Sequence, residues 1–272
     1  MISQMFIFEK NKFNFLSMNI LISIWTYWCF FITFFVFLFF LPLNLILVFC
    51  FGSKGREIFV RYNHYVGKLL LLLYGMYKDI KGSFPFMHHT PCVYIANHKS
   101  YLDVIIIASL VSQKIKYLGK AEVFDWPLVG LFSRYSGQIP VKREDKNSRN
   151  KAYETMKKSI DEGYSIILFP EGGWRNDGDK NHPNPYSFTK EKILNPFRNG
   201  AFRLAIEKSV PIVPIALLNA GHRFSSKTMK IIPGKIGIYV FDLLYTKKND
   251  NPLIVNEKCY NMIYEKLNEF NS

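Results

Sequence analysis

The chain has 272 residues, enough for one sizeable domain and an appendage. Hydrophobic residues make up 49% and charged residues 21%, which excludes an intrinsically disordered chain. Thirty-five Lys and Arg stand against 21 Asp and Glu, a net +14 that suits an anionic partner: nucleic acid, an anionic membrane face or a phosphorylated substrate.

Mean hydropathy is +0.03, too low for a many-span membrane protein and high for a purely soluble domain. An uneven distribution explains it. No charged residue occurs in 13–53, and 20–41 is apolar apart from Ser23, Thr26 and Thr33. As a helix that stretch would be about 33 Å long, enough to cross a hydrocarbon core. Pro42 and Asn44 then interrupt, and 45–51 is apolar again. The pattern fits one full span or a helical hairpin that dips into the membrane. Trp25, Tyr27 and Trp28 sit where an interfacial aromatic belt would lie. Basic residues flank both sides, with Lys10 and Lys12 before and Lys54, Arg56 and Arg61 after. Both ends on the cytoplasmic side, as in a hairpin, satisfies that flanking. The run is too long for a cleaved signal peptide, and no small-residue cleavage site follows. Residues 1–60 are therefore expected to anchor the chain to a membrane, and 61–272 to form the catalytic or binding domain on the cytoplasmic face. Residues 1–60 hold four basic and two acidic side chains, so nearly all the net charge belongs to the second part.

The run 69–73 suits a buried or interfacial helix. From about residue 91, strands and helices alternate. Residues 92–96, 115–118, 138–141, 165–169, 210–217 and 236–241 read as strands; 104–111, 148–162, 202–208 and 256–270 read as helices. In 148–162, Ala152, Met156 and Ile160 share one face, and Gly163 ends it. In 256–270, Met262, Ile263, Leu267 and Phe270 are expected to face inward. This alternation predicts an α/β layered domain around a largely parallel sheet. The polar stretch 175–195 is long enough for a functional or mobile insertion.

Active sites in such sheets lie beyond the carboxyl ends of the strands. Three strand ends are chemically loaded. The first runs Asn97-His98-Lys99-Ser100-Tyr101-Leu102-Asp103, the second Lys142-Arg143-Glu144-Asp145, the third Pro170-Glu171-Gly172-Gly173-Trp174-Arg175. His98 and Asp103 are five apart and share no face of a regular helix. They meet only if His98 lies in the turn and the helix starts near Ser100. The carboxylate would then fix the imidazole tautomer and leave the other nitrogen to take a proton from a hydroxyl. Ser100-x-x-Asp103 is equally a capping-box-like helix start, with His98 an ordinary turn residue. Lys142 and Arg143 could bind phosphate or form a solvated turn. Glu171-Gly172-Gly173 suits either close backbone approach to a ligand or a tight turn.

Other chemistries drop out. There is no G-x-S-x-G elbow, no Walker A loop and no G-x-G-x-x-G run. Asp177, Asp179 and Asn181 start like a calcium loop, but His182 and Phe188 occupy its sixth and twelfth positions. Cys29, Cys50, Cys92 and Cys259 form no CxxC pair, so neither a zinc knuckle nor a disulfide framework is expected. Basic residues do not alternate with aromatics on a strand, which argues against nucleic acid.

Taken together, these segments resemble the glycerolipid acyltransferase family that includes the 1-acylglycerol-3-phosphate acyltransferases. Asn97-His98-x4-Asp103, Gly137-Gln138-Ile139-Pro140-Val141-Lys142-Arg143, Phe169-Pro170-Glu171-Gly172 and Val210-Pro211-Ile212-Val213-Pro214-Ile215 are similar, in order, to four family blocks. Phe197-Arg198-Asn199-Gly200-Ala201-Phe202 and Gly119-Lys120-Ala121-Glu122-Val123-Phe124 also look familial. The likeness covers roughly residues 90–220. It implies the family's α/β fold with a membrane-embedded helix pair. It implies His98 as general base, Asp103 as its orienting partner, and Lys120, Arg143 and the Glu171-Gly172 turn at the acceptor's glycerol phosphate, with Lys142 beside them. The co-substrate would be acyl-CoA or acyl carrier protein, with no metal and no other cofactor. The acceptor would be lysophosphatidic acid or a related lysolipid. One position departs. Gly173 and Trp174 follow F-P-E-G where the family has a small polar residue and then Arg, and Arg175 comes one later. Either an inserted residue returns Arg175 to the phosphate, or the acceptor differs. A non-catalytic module that binds anionic lipid is the remaining reading.

Overall fold

The computed structural model describes residues 2–83, 91–172, 193–225 and 228–271, with side chains from residue 17 onward. The first element, α1 (Ile2–Leu73), is a helix folded back on itself at Gly52. Pro42 does not end the first arm; the helix continues through it. A reversal needs a residue that tolerates positive φ, which the proline ring forbids and glycine allows. Gly52 supplies it, with φ 54° and ψ −122°. Gly55 lets the arms close, because any Cβ there would collide with the Leu47 carbonyl. The arms then stay in contact along their length. Phe40 and Tyr62 pack with ring centroids 5.5 Å apart, Thr33 hydrogen-bonds the Tyr74 hydroxyl, and Gly75 lies against Trp25. The open choice between span and hairpin is thus resolved toward a hairpin. A boundary at residue 60 falls inside its second arm, which runs on to Leu73.

The rest is built on one seven-stranded sheet. Its elements are β1 (Met76–Gly82), β2 (Val93–Ala96), α2 (Leu102–Leu110), β3 (Ile115–Lys120), a 3-10 turn (Ala121–Asp125), α3 (Val129–Tyr135), β4 (Ile139–Val141), α4 (Lys146–Asp161), β5 (Ser165–Leu168), α5 (Gly200–Lys208), β6 (Ile212–Leu217), α6 (Ala220–Arg223), β7 (Gly234–Val240) and α7 (Pro252–Asn271). Strand order is β1-β7-β6-β2-β5-β3-β4. All pairs are parallel except β6 with β7. Parallel strands buried on both faces carry apolar side chains at successive positions, and the alternation sends them to opposite cores. In β2, Tyr94 and Ala96 enter one core, and Val93 and Ile95 the other. The first core holds α2 and, behind it, the hairpin; the second holds α4, α5 and α7.

The hairpin docks through its second arm. Gly67 brings that arm against α2, where an added Cβ would sit 3.0 Å from the Ser109 amide nitrogen. His64 Nδ1 lies 3.2 Å from the Ala108 carbonyl. The first arm is tied near its start, where the Ile231 amide donates to Thr26 Oγ1 at 2.9 Å and Lys230 donates to Asn19 at 2.8 Å, and farther along Phe37 packs on Phe132 of α3 with ring centroids 5.1 Å apart. Its outer side leaves Phe31, Phe35, Phe39 and Phe49 exposed. Several elements depart from expectation, and the 3-10 turn, α3 and α6 were not foreseen. β1 had no counterpart in the sequence reading. In α7, Cys259, Ile263 and Leu267 are buried, whereas Phe270 is exposed.

Candidate active site

Strands β2, β5, β3 and β4 are neighbours and parallel, so their carboxyl ends share one edge. All three loaded segments therefore open onto the same rim. At the end of β2 the chain leaves the sheet at Asn97, which is pinned by a two-way clip. Asn97 Nδ2 donates to the Leu217 carbonyl at 2.9 Å, and Oδ1 accepts from the Leu217 amide at 2.7 Å. This fixes where His98 begins.

His98 Nδ1 lies 2.7 Å from Asp103 Oδ2. A carboxylate only accepts, so Nδ1 carries the proton and Nε2 becomes the basic nitrogen. The same Oδ2 accepts the Lys99 and Ser100 amides, both at 2.8 Å. Asp103 thus closes the helix start and holds the imidazole with one and the same oxygen. The carboxylate is fully buried, and its Oδ1 has no hydrogen-bond partner among the described residues. Ser100 completes the turn, its Oγ donating to the Phe224 carbonyl at 2.7 Å and accepting from the Leu102 amide at 3.1 Å. The imidazole stacks on Phe169 at 4.1 Å between centroids. These contacts fix ring, turn and carboxylate in one relative orientation.

Glu171, at the end of β5, is fully buried. Its Oε1 accepts the His98 amide at 2.7 Å, its Oε2 accepts the Asn195 amide at 3.0 Å, and Lys99 Nζ stands 3.5 Å from Oε2. Both Glu171 oxygens are turned onto the protein's own amides, so the carboxylate fastens the His98 loop to the segment at Asn195. Gly172 has φ +76°, a conformation that favours glycine, and closes the turn with its amide on the Phe169 carbonyl at 3.0 Å.

Lys120 ends β3 and lies 3.1 Å from Glu122. The Glu122 carboxyl is held below its usual range, first by its own backbone amide and then by Lys120. Lys142 and Arg143 follow β4, the outermost strand on this side. At about 4.8 Å per strand, β3 lies about 10 Å and β4 about 14 Å from β2. The Lys142 amide donates to Ser148 Oγ at 2.9 Å, and the Arg143 carbonyl accepts from Arg149 at 2.6 Å, so this turn launches α4. These cations share the rim with His98 but sit farther along it than Glu171. Arg175 lies outside the described residues. The sequence reading assigned no role to Asn97, Phe169 or Arg198, although each stood in a quoted block. Their partners lie on distant segments, so no spacing exposes them.

A buried carboxylate behind a histidine at the carboxyl edge of a parallel sheet is an arrangement that can do general-base chemistry. Comparison with known proteins gives the family. The family model described as Acyltransferase matches residues 79–218. A chloroplastic 1-acyl-sn-glycerol-3-phosphate acyltransferase of Brassica napus is 30% identical over 214 residues, covering 76% of this chain and 57% of its own length. The human 1-acyl-sn-glycerol-3-phosphate acyltransferase beta is 23% identical over 174 residues, covering 64% and 58%. This chain spans about half the length of the curated relatives it matches. The fold matches a crystal structure of the 1-acyl-sn-glycerophosphate acyltransferase PlsC from Thermotoga maritima with a TM-score of 0.75, covering 93% of this chain and 98% of that one at 19% identity. The chain belongs to the acyltransferase family.

Proposed function

We propose that the protein transfers an acyl chain from an acyl thioester to the free sn-2 hydroxyl of lysophosphatidic acid, giving phosphatidic acid. The observation that carries this reading is the 2.7 Å contact between His98 Nδ1 and the buried Asp103 carboxylate. With Nδ1 held as a donor, Nε2 takes the proton of the acceptor hydroxyl as its oxygen attacks the thioester carbonyl. The tetrahedral intermediate collapses, the carbon–sulfur bond breaks, and the imidazolium returns its proton to the departing thiolate. Asp103 stabilises the imidazolium in between. Acceptor oxygen gains the acyl group, and coenzyme A or acyl carrier protein leaves as the free thiol.

The apolar hairpin supports a membrane location, and in this reading the catalytic domain lies on the cytoplasmic face, within reach of the lysolipid and the product. The excess of basic residues in the globular part favours an anionic bilayer and an acidic donor. Lys120, Lys142 and Arg143, strung along the rim, suit the phosphates of the donor or the lipid headgroups.

The test is transfer of labelled acyl chains from acyl-CoA, and separately from acyl carrier protein, to lysophosphatidic acid in detergent. Wild type should form phosphatidic acid, and His98→Ala should lose at least about a hundredfold in rate. Equal rates in the two proteins would sink the mechanism. Activity only with another lysolipid in a panel of acceptors would correct the acceptor and keep the chemistry.

A further inference from the structure

Arg198 is left over by the mechanism above, yet it stands next to the machinery. Asn195 donates its amide to Glu171, and the Arg198 amide donates to the Pro170 carbonyl at 2.9 Å. The segment from 195 to 198 is therefore wrapped on the turn that holds the His98 backbone. The Arg198 side chain then runs across Gly172. A Cβ added to Gly172 would meet Arg198 Nε at 2.5 Å and Cδ at 3.1 Å. Gly172 is thus needed twice, for its positive φ and for the slot it leaves to the guanidinium.

Arg198 Nε is buried and has no hydrogen-bond partner among the described residues. Several other cations of the domain have carboxylate partners: Lys120 has Glu122, Arg134 has Asp125, Lys157 has Glu207 and Lys208 has Asp161. Among the described residues no acidic side chain pairs with Arg198. A buried guanidinium N–H without an acceptor is unfavourable unless a ligand supplies one. The planar fork of arginine fits the paired oxygens of a phosphate better than any other side chain.

We propose that Arg198 holds the phosphate of the acceptor and so selects a phosphorylated headgroup. This rests on the acyl-transfer reading. In lysophosphatidic acid the phosphorus is only a few bonds from the reacting hydroxyl. The cation that holds it must therefore stand close to His98, and Arg198 is one fastening residue away.

The experiment is steady-state kinetics on Arg198→Ala, Arg198→Lys and Gly172→Ala, with melting temperature as the check on folding. Arg198→Ala should raise KM for lysophosphatidic acid at least about tenfold and leave KM for the acyl donor unchanged. The inhibition constant of glycerol 3-phosphate, the headgroup alone, should rise by the same factor. Arg198→Lys should fall between, keeping the charge and losing the fork. Gly172→Ala should reproduce the acceptor defect by displacing the guanidinium. If Arg198→Ala does not fold, Arg198→Lys carries the same comparison. A KM for the acceptor unchanged in an active variant overturns the inference alone. So does a rise in donor KM instead, or a loss in kcat with the glycerol 3-phosphate constant unmoved. A wild type inactive on every phosphorylated acceptor overturns the acyl-transfer reading and this inference with it.

Discussion

One oxygen, Asp103 Oδ2, serves three donors: His98 Nδ1 and the amides of Lys99 and Ser100. Orienting the base and starting α2 are therefore one event. Asp103→Asn keeps the shape but supplies no negative charge to the imidazolium and no assurance of its tautomer. We expect kcat to fall about a hundredfold or more, measured on the same transfer reaction. Ser100→Ala removes hydroxyl bonds to Phe224 and Leu102 without touching the carboxylate. It should lower stability by about 1 kcal/mol while kcat falls far less than in Asp103→Asn. Comparable losses in kcat would mean that Asp103 acts only as a cap. The pair itself was legible in the sequence because both members lie within one short turn. The Asn97 clip was not, since its partner Leu217 is 120 residues away. Only chain topology brings them together.

The elements were read best where their periodicity was strong. α4 carries Ala152, Met156 and Ile160 on one buried face and stops at Gly163, as its pattern predicts. β1 escaped notice because Met-Tyr-Lys-Asp-Ile-Lys-Gly mixes charge into an edge strand. Lys78 is the telling residue. It turns toward α2 and donates to both the carbonyl and the hydroxyl of Ser109, at 2.9 and 3.0 Å. Burial, and then Lys68, push its ammonium down to about 8. The hairpin was half legible: its apolar length was plain, whereas its turn was sought at Pro42 and lies at Gly52. Gly55 is the tighter constraint. Gly55→Val should pry the arms apart and lower stability by about 1–3 kcal/mol, seen as a lower melting temperature in detergent and faster proteolysis near the turn. An unchanged melting temperature would show that the arms need not touch there.

At the scale of the whole molecule, a basic α/β domain carries an apolar hairpin whose first arm packs inward on one side and exposes aromatic rings on the other. Exposed rings of this number on one side suit contact with lipid, as the proposed membrane location requires. The joint replacement of Phe31, Phe35 and Phe39 by Ser should weaken partition onto anionic vesicles by at least about tenfold. Raising salt should weaken the wild type only in part, since screening reduces the contribution of the basic domain and leaves apolar insertion in place. Complete release by salt alone would make the attachment purely electrostatic. The two clips that set the His98 loop, Asn97 to Leu217 and Ser100 to Phe224, also impose an order on biosynthesis. Contacts so distant along the chain form late, after the loop between them has been closed. In a chain still on the ribosome the apolar hairpin emerges long before residue 224, so the hairpin is complete first and the His98 loop is set afterwards.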